Sequence, residues 1–173
     1  GKQNKEKLPD VSKIKIGDKV IITKYAGIEG TSILAKELEQ KLINKLGKEK
    51  LDMAKSMDSM LSVVKEGIVC GKIGVRYMHD ITEGGVFGAI WEAAIATNKG
   101  IKVSKDLIPV KDITKEIADI LDIDLYRLIS SGSMLIIVER EKALIIGEEL
   151  QKFNIESAVI GEIIEKGIIL EEN

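Results

Sequence analysis

Asp80-Ile-Thr82-Glu83-Gly84-Gly85 brings two carboxylates, a hydroxyl and a glycine pair within six residues, directly after the only histidine, His79. Such a stretch suits phosphate chemistry. Glycine lets a backbone approach a ligand closely, and the first N–H groups of a helix lack intrahelical partners, so they can hold an anion. Asp80 and Glu83 could meet a magnesium-bound phosphate; in the plainer alternative they are solvated or capping acids in a tight turn. A second candidate is Ser130-Ser131-Gly132-Ser133, where hydroxyls and a flexible backbone precede an apolar run. Ser131 and Gly132 are its ligand-facing positions. Short Gly-rich turns of both kinds also occur without any ligand.

Other chemistries fare worse. With one histidine and no identifiable nucleophile beside it, a hydrolytic triad is not supported, and His79 has the simpler role of ordering a strand end. Cys70 is the only cysteine, which excludes an intramolecular disulfide, and it has no evident activating partner, so it reads as a packed thiol. No Cys/His cluster favours zinc, and neither a Walker loop nor a strand–GxGxxG–helix fingerprint is present. No residue is assigned a catalytic role, and no metal ligand set is expected.

The first candidate stretch must sit between a strand and a helix. Val75, Tyr77 and Ile81 alternate with Arg76, Met78 and Asp80, the period of a half-buried strand. After Gly85, the residues Val86, Ile90, Ala93 and Ala94 fall at helical spacing, with Phe87, Trp91 and Ile95 widening the stripe, so Phe87 and Trp91 are expected against the sheet. Upstream, Gly17-Asp18 turns into a strand at Lys19 to Thr23. Ala26 to Thr31 leads into a helix through Glu39 or beyond, capped by Thr31 or Ser32, with Ile33, Leu34 and Leu38 on its apolar side. After a break at Gly47, a helix of roughly 15–20 residues is expected to bury Met57, Leu61, Val64 and Ile68, with Met53 and Met60 alongside, and to end at Gly71 or Gly74. Downstream, Gly100 terminates the helix that follows Gly85, and Ile101 to Val103 form a strand. Ile108-Pro109-Val110 is extended, and a helix from Asp112 or Thr114 carries Ile113, Ile117, Ile120 and Leu121. Met134 to Val138 is a strand buried on both faces, and Ala143 to Phe153 is a helix. Ser157 to Ile163 and Gly167 to Leu170 are strands able to pair as a hairpin. This alternation predicts an α/β (α+β) fold, a layered mixed β-sheet covered by helices.

Composition narrows the partners. Apolar residues at 45% with 31% charged describe a globular chain with a sizeable core, and 173 residues suit one domain. The net charge of −2 and the 3% aromatic content offer neither a basic patch nor a stacking platform, so no nucleic acid partner is expected. No apolar run is long enough to span a bilayer, so no membrane is expected either, and the cytoplasm is the expected compartment. Residues 1–13 read as a polar lead-in or as the place where a longer chain was cut, and 14–173 as the domain.

A resemblance sharpens this. Met78-His-Asp-Ile-Thr-Glu-Gly-Gly-Val86 and the apolar helix after it resemble the MHDxTEGG turn in the C-terminal domain of the aminoimidazole ribonucleotide (AIR) synthase-related superfamily. Hydrogenase expression/formation (HypE-like) proteins are its nearest branch. Gly17-Asp18-Lys-Val-Ile-Ile-Thr23 with Ala26-Gly-Ile-Glu-Gly-Thr31 is similar to the family's interdomain segment. Ser59 to Gly67 is similar to the helix before the turn, and Leu128-Ile-Ser-Ser-Gly-Ser-Met-Leu135 to its SGxLL strand entry. The resemblance implies an AIR synthase C-terminal-domain-like fold with partial ferredoxin-like topology. It also implies a phosphate-facing turn of Asp80, Thr82, Glu83, Gly84 and Gly85, and ATP and magnesium bound largely by an N-terminal domain absent from this chain. It further implies a homodimer, with hydrogenase maturation proteins as possible partners and an ATP-dependent full-length enzyme whose C-terminal fragment is inactive alone. Two departures stand out: Lys24-Tyr25 occupies the place of a family glycine, and the tail Gly167 to Asn173 lacks the family's acceptor cysteine. A non-catalytic binding or assembly module therefore stays open, as does a relative acting on another substrate, of selenophosphate, thiamine phosphate or purine-pathway type.

Overall fold

The structure is a computed structural model that describes residues 7–172. One mixed sheet organises the chain. Its strands are β1 (Lys19–Thr23), β2 (Tyr77–Asp80), β3 (Gly100–Ser104), β4 (Met134–Val138), β5 (Ser157–Ile164) and β6 (Ile168–Glu171). Their spatial order is β2-β4-β1-β5-β3-β6, antiparallel throughout except for the parallel pair β3–β6. The helices are α1 (Ile28–Glu37), α2 (Glu39–Leu46), α3 (Lys48–Lys55), α4 (Val64–Ile73), α5 (Gly85–Thr97), α6 (Asp112–Leu121) and α7 (Ala143–Gln151).

The pleat explains the layers, since successive side chains leave a strand on opposite faces. Val20, Ile22, Leu135 and Ile137 go to one face and pack with Val86, Ala89, Ile90 and Ala93 of α5. Ile21, Met134, Ile136 and Val138 go to the other, with Val69 and Cys70 of α4 and Ile146 and Leu150 of α7. All five residues of β4 are buried, as expected of an uninterrupted apolar run. A third cluster, built from α1, α2, α3 and α6 around Ile28, Leu42, Leu51 and Ile117, has no strand residue among its buried members.

Several expectations change. The 15–20-residue helix is broken: α3 ends at Lys55, a 3-10 turn spans Ser56–Met60, and α4 begins only at Val64. The break resets the register, so Met57 stays buried while Met53, Val64 and Ile68 turn outward and Val69 and Cys70 face the sheet. In the non-helical stretch before α4, the carbonyls of Met60 and Ser62 accept from the Lys24 ammonium. α1 starts at Ile28, ahead of the expected Thr31 or Ser32 cap, after Gly27 in the left-handed region. That shift buries Thr31, Ser32 and Ala35 and exposes Ile33. α5 ends at Thr97 with Asn98, in the left-handed region, as its C-cap, and Gly100 opens β3 instead of terminating the helix. The widened stripe on α5 is also corrected. Trp91 is 59% exposed and Ile95 61%, because Val86, Ala89, Ile90, Ala93 and Thr97 already form the buried face. Phe87 is half-buried and stacks on Tyr126 at 5.1 Å.

The expected hairpin does not form. β3 lies between β5 and β6, with Ile101 opposite Ile163 on one side and Ile168 on the other. The connection 165–167 steps across the start of β3, where Ile101 N–H donates to Gly167 O at 2.9 Å. The ion pair Lys102–Glu171, at 3.2 Å, and the pair Lys105–Glu172 add to the parallel register. Part of the lead-in is structured: Asp10 caps a 3-10 turn at Val11–Lys13, and Lys7 N–H donates to Gly71 O at 2.8 Å. Residues 1–6 of the lead-in lie outside the described residues.

Candidate functional site

Because β4 runs antiparallel to both β1 and β2, the ends of β1 and β2 and the start of β4 fall on one edge of the sheet, with Ile22 opposite Leu135 and Asp80 opposite Met134. Three connections leave from that edge: residues 24–27, 81–84 and 129–133. The backbone ties them together. Ile81 N–H donates to Ser133 O at 2.9 Å and Ser130 N–H to Thr82 O at 3.2 Å. Gly27 N–H donates to Ser130 Oγ at 2.9 Å, and Ser133 Oγ donates to Tyr25 O at 2.7 Å. The two candidate stretches, some fifty residues apart in sequence, are thus one surface. Of its serines, Ser130 and Ser133 are buried and spent on these bonds, while Ser131 is half-buried.

Asp80, Thr82, Glu83 and Gly84 are exposed, and Gly85 and Gly132 are buried. Gly85 has φ +66°, and a Cβ there would lie 2.5 Å from Tyr126 O and 2.6 Å from Leu128 O. Gly132, at φ +104°, would place a Cβ 2.5 Å from Met60 O. Both glycines are therefore demanded by the backbone packed against them, a reason different from the ligand approach expected of the turn. Gly84, at φ −76°, caps α5 without any side-chain hydrogen bond; Gly85 N–H donates to Thr82 O at 3.1 Å, and no side chain of the cap satisfies the N–H groups that follow. An anion here would meet backbone N–H groups beside two exposed carboxylates, which favours a cation-bridged phosphate over a bare one. Among the described residues no group of three or more His, Cys, Asp or Glu is placed to hold a metal ion by itself.

His79 is exposed and its Nδ1 lies 2.6 Å from Asp80 O, which fits the ordering of the strand end. Cys70 is buried, and burial, followed by the nearby Glu66 carboxylate, pushes its thiol up to about 12; so high a value leaves almost no thiolate at neutral pH. Sequence reasoning missed Lys24, Glu66 and Tyr25. Lys24, at φ +57°, reaches under the Ser130–Ser133 loop to Gly132 O at 3.0 Å and to Glu66 Oε2 at 3.2 Å. Tyr25 Oη donates to Glu156 Oε2 at 2.5 Å, and its pKa rises to about 12, first from burial and then from that hydrogen bond. The available signal was a lysine in the place of a family glycine, and a glutamate on a helix whose next turn is apolar.

The fold and this edge define the class: an α/β domain with a strand–turn–helix unit and a serine-glycine loop presented side by side. The profile of the AIR synthase related protein, C-terminal domain, matches residues 15–171, and the chain belongs to that family. It is 33% identical over 100 residues to carbamoyl dehydratase HypE of Escherichia coli, covering 56% of this chain and 30% of that protein. It is 29% identical over 130 residues to a hydrogenase expression/formation protein of Methanocaldococcus jannaschii, covering 73% and 36%. The chain thus spans about a third of the length of these curated relatives. A crystal structure of E. coli HypE superposes with a TM-score of 0.78 at 26% identity, over 94% of this chain and 48% of that one. Thiamine-monophosphate kinase of Stenotrophomonas maltophilia shares the fold, with a TM-score of 0.72 at 15% identity over 94% and 52%.

Proposed function

We propose that this chain is the C-terminal domain of a HypE-like, ATP-dependent protein, and that the edge formed by Asp80, Thr82, Glu83, Gly84, Gly85, Ser131 and Gly132 completes a nucleotide site with an N-terminal domain. The observation that carries this reading is the convergence of the two candidate loops through the Ser130 N–H to Thr82 O bond. It is supported by likeness to HypE and by fold likeness to a HypE solved with ATP, at a TM-score of 0.70. In this reading the backbone N–H groups at the start of α5 face phosphate oxygens. Asp80 and Glu83 would meet a magnesium-bound phosphate from this side, the ion being held largely by the N-terminal domain and supplying charge neutralisation to the phosphates when bound. Homodimers, hydrogenase maturation partners and a cytoplasmic setting belong to the same proposal; among the described residues no helix is long and apolar enough to cross a membrane.

Thermal unfolding tests it. Phosphate with magnesium should raise the Tm of this chain, since a ligand that binds only the folded state stabilises it, and Asp80→Asn should reduce the magnesium-dependent part. The chain alone should hydrolyse no ATP, whereas the longer protein should do so and lose turnover with Asp80→Asn. Turnover by the isolated chain, or full turnover by the long Asp80→Asn variant, contradicts the assignment.

A further inference from the structure

The junction beneath the Ser130–Ser133 loop is built like a cation site. Three backbone carbonyls, those of Met60, Ser62 and Gly132, accept from the Lys24 ammonium at 3.0, 2.6 and 3.0 Å. Glu66 Oε2 lies 3.2 Å from the same nitrogen, with side chains only 12% exposed for Lys24 and 1% for Glu66. Oxygen acceptors outnumber donors: an ammonium has three N–H groups for these four oxygens, and the buried Glu66 Oε1 has no partner. Thr23 Oγ1 donates its proton to Glu66 Oε2 at 3.3 Å and accepts from Met134 N–H at 2.9 Å, joining the cluster to the first residue of β4. The Ser62 bond lies at the surface and the Met60 and Gly132 bonds are part-buried, but the buried Glu66 carboxylate is tolerable only beside a positive charge. Lys24 delivers it at φ +57°, a conformation that disfavours a residue with a Cβ and suits glycine.

We propose that Lys24 is a resident cation. Its ammonium does the work of a bound monovalent ion, pinning the Met60–Ser62 segment and the Gly132 carbonyl so that the Ser131–Gly132 backbone is fixed beside the Thr82–Gly85 turn. The lysine is a positioning residue, and the cage it fills takes potassium or ammonium when the side chain is removed. Neither ATP nor a second domain enters into this role, so it stands or falls separately from the nucleotide site.

Lys24→Gly is the informative variant, because glycine relieves the left-handed backbone while emptying the cage. Parent and variant are melted at equal ionic strength in choline, sodium, potassium and ammonium chloride. The parent Tm should be the same in all four salts. The variant should fall by about 10 °C in choline, the effect of stranding a buried carboxylate. It should regain about 4 °C in potassium or ammonium as the ion binds the folded state. An unchanged Tm in choline, or a recovery equal in all salts, overturns the proposal. If the variant does not fold in choline, its refolding yield in ammonium against choline is read instead, and equal yields overturn it. In the parent, native-state acylation read by mass spectrometry should modify Lys24 far more slowly than the exposed Lys36. Equal rates would mean that the ammonium is not held.

Discussion

Gly85 is the position at which the packing argument can be pressed hardest. Replacing it with alanine places a Cβ 2.5 Å from Tyr126 O, 2.6 Å from Leu128 O and 2.7 Å from Arg127 C, all backbone atoms, at φ +66°. The left-handed conformation alone costs an alanine about 1–2 kcal/mol. Because no flexible side chain can move aside, displacing the 126–128 backbone adds about 1–3 kcal/mol. The sum is about 2–5 kcal/mol, a Tm loss of roughly 5–15 °C for a chain of this size. Gly84→Ala is the matched control: its φ of −76° is ordinary, its nearest neighbour for a Cβ is Gly88 Cα at 3.1 Å, and it should cost about 1 kcal/mol or less. Urea unfolding of both variants, without phosphate, measures the difference. If Gly85→Ala unfolds within about 0.5 kcal/mol of the parent, the turn does not pack against the 126–128 segment as described.

Trp91→Ala should change stability by about 1 kcal/mol or less, because the ring lies mostly in solvent, whereas Ile90→Ala one residue earlier should cost about 2–5 kcal/mol. Native Trp fluorescence should accordingly be solvent-like, and a blue-shifted maximum would contradict the outward placement. Cys70 should react with a thiol reagent far more slowly than an ordinary thiol near neutral pH, because the side chain is buried and its pKa is pushed up to about 12; rapid native-state labelling would refute its burial. The same rise makes stability pH-dependent. The unfolded thiol ionises from about pH 9 and the folded one only near 12, so the contribution is whole below pH 9 and lost as pH climbs towards 12. Cys70→Ala should flatten that alkaline decline, and an unchanged slope would assign it to other groups.

The six strands were legible because each carries its own period or run: Lys19–Thr23 and Met134–Val138 are apolar enough to need burial on both sides of a sheet. What a local pattern cannot report is a partner far along the chain. Ile101 could not be seen to sit between Ile163 and Ile168, so the last two strands read as a hairpin. The region 56–63 holds no glycine or proline to announce the break, and the contact of its Met60 and Ser62 carbonyls with Lys24, some forty residues upstream, is invisible to a local pattern. Trp91 misled because helical spacing admits it to the stripe, although α5 needs only its narrower Val86–Ala93 face to cover the sheet. At the candidate site, residue types were readable and geometry was not. Asp80 to Gly85 and Ser131-Gly132 stood out as two stretches, and only the antiparallel β2–β4 pairing unites them. Lys24 stood out only as a departure from a family glycine and Glu66 not at all, since lysine and glutamate usually signal a solvated surface.

The central claim is that the two loops form one phosphate-facing edge. Backbone amide NMR tests it directly, on the longer protein carrying its ATP-binding domain, titrated with ATP and magnesium. Resonances of residues 82–86 and 131–132 should move together along one saturating curve, and Asp80→Asn should weaken that curve. If those amides stay still while ATP saturates the protein, the edge faces no phosphate and the assignment of Asp80 to Gly85 is wrong.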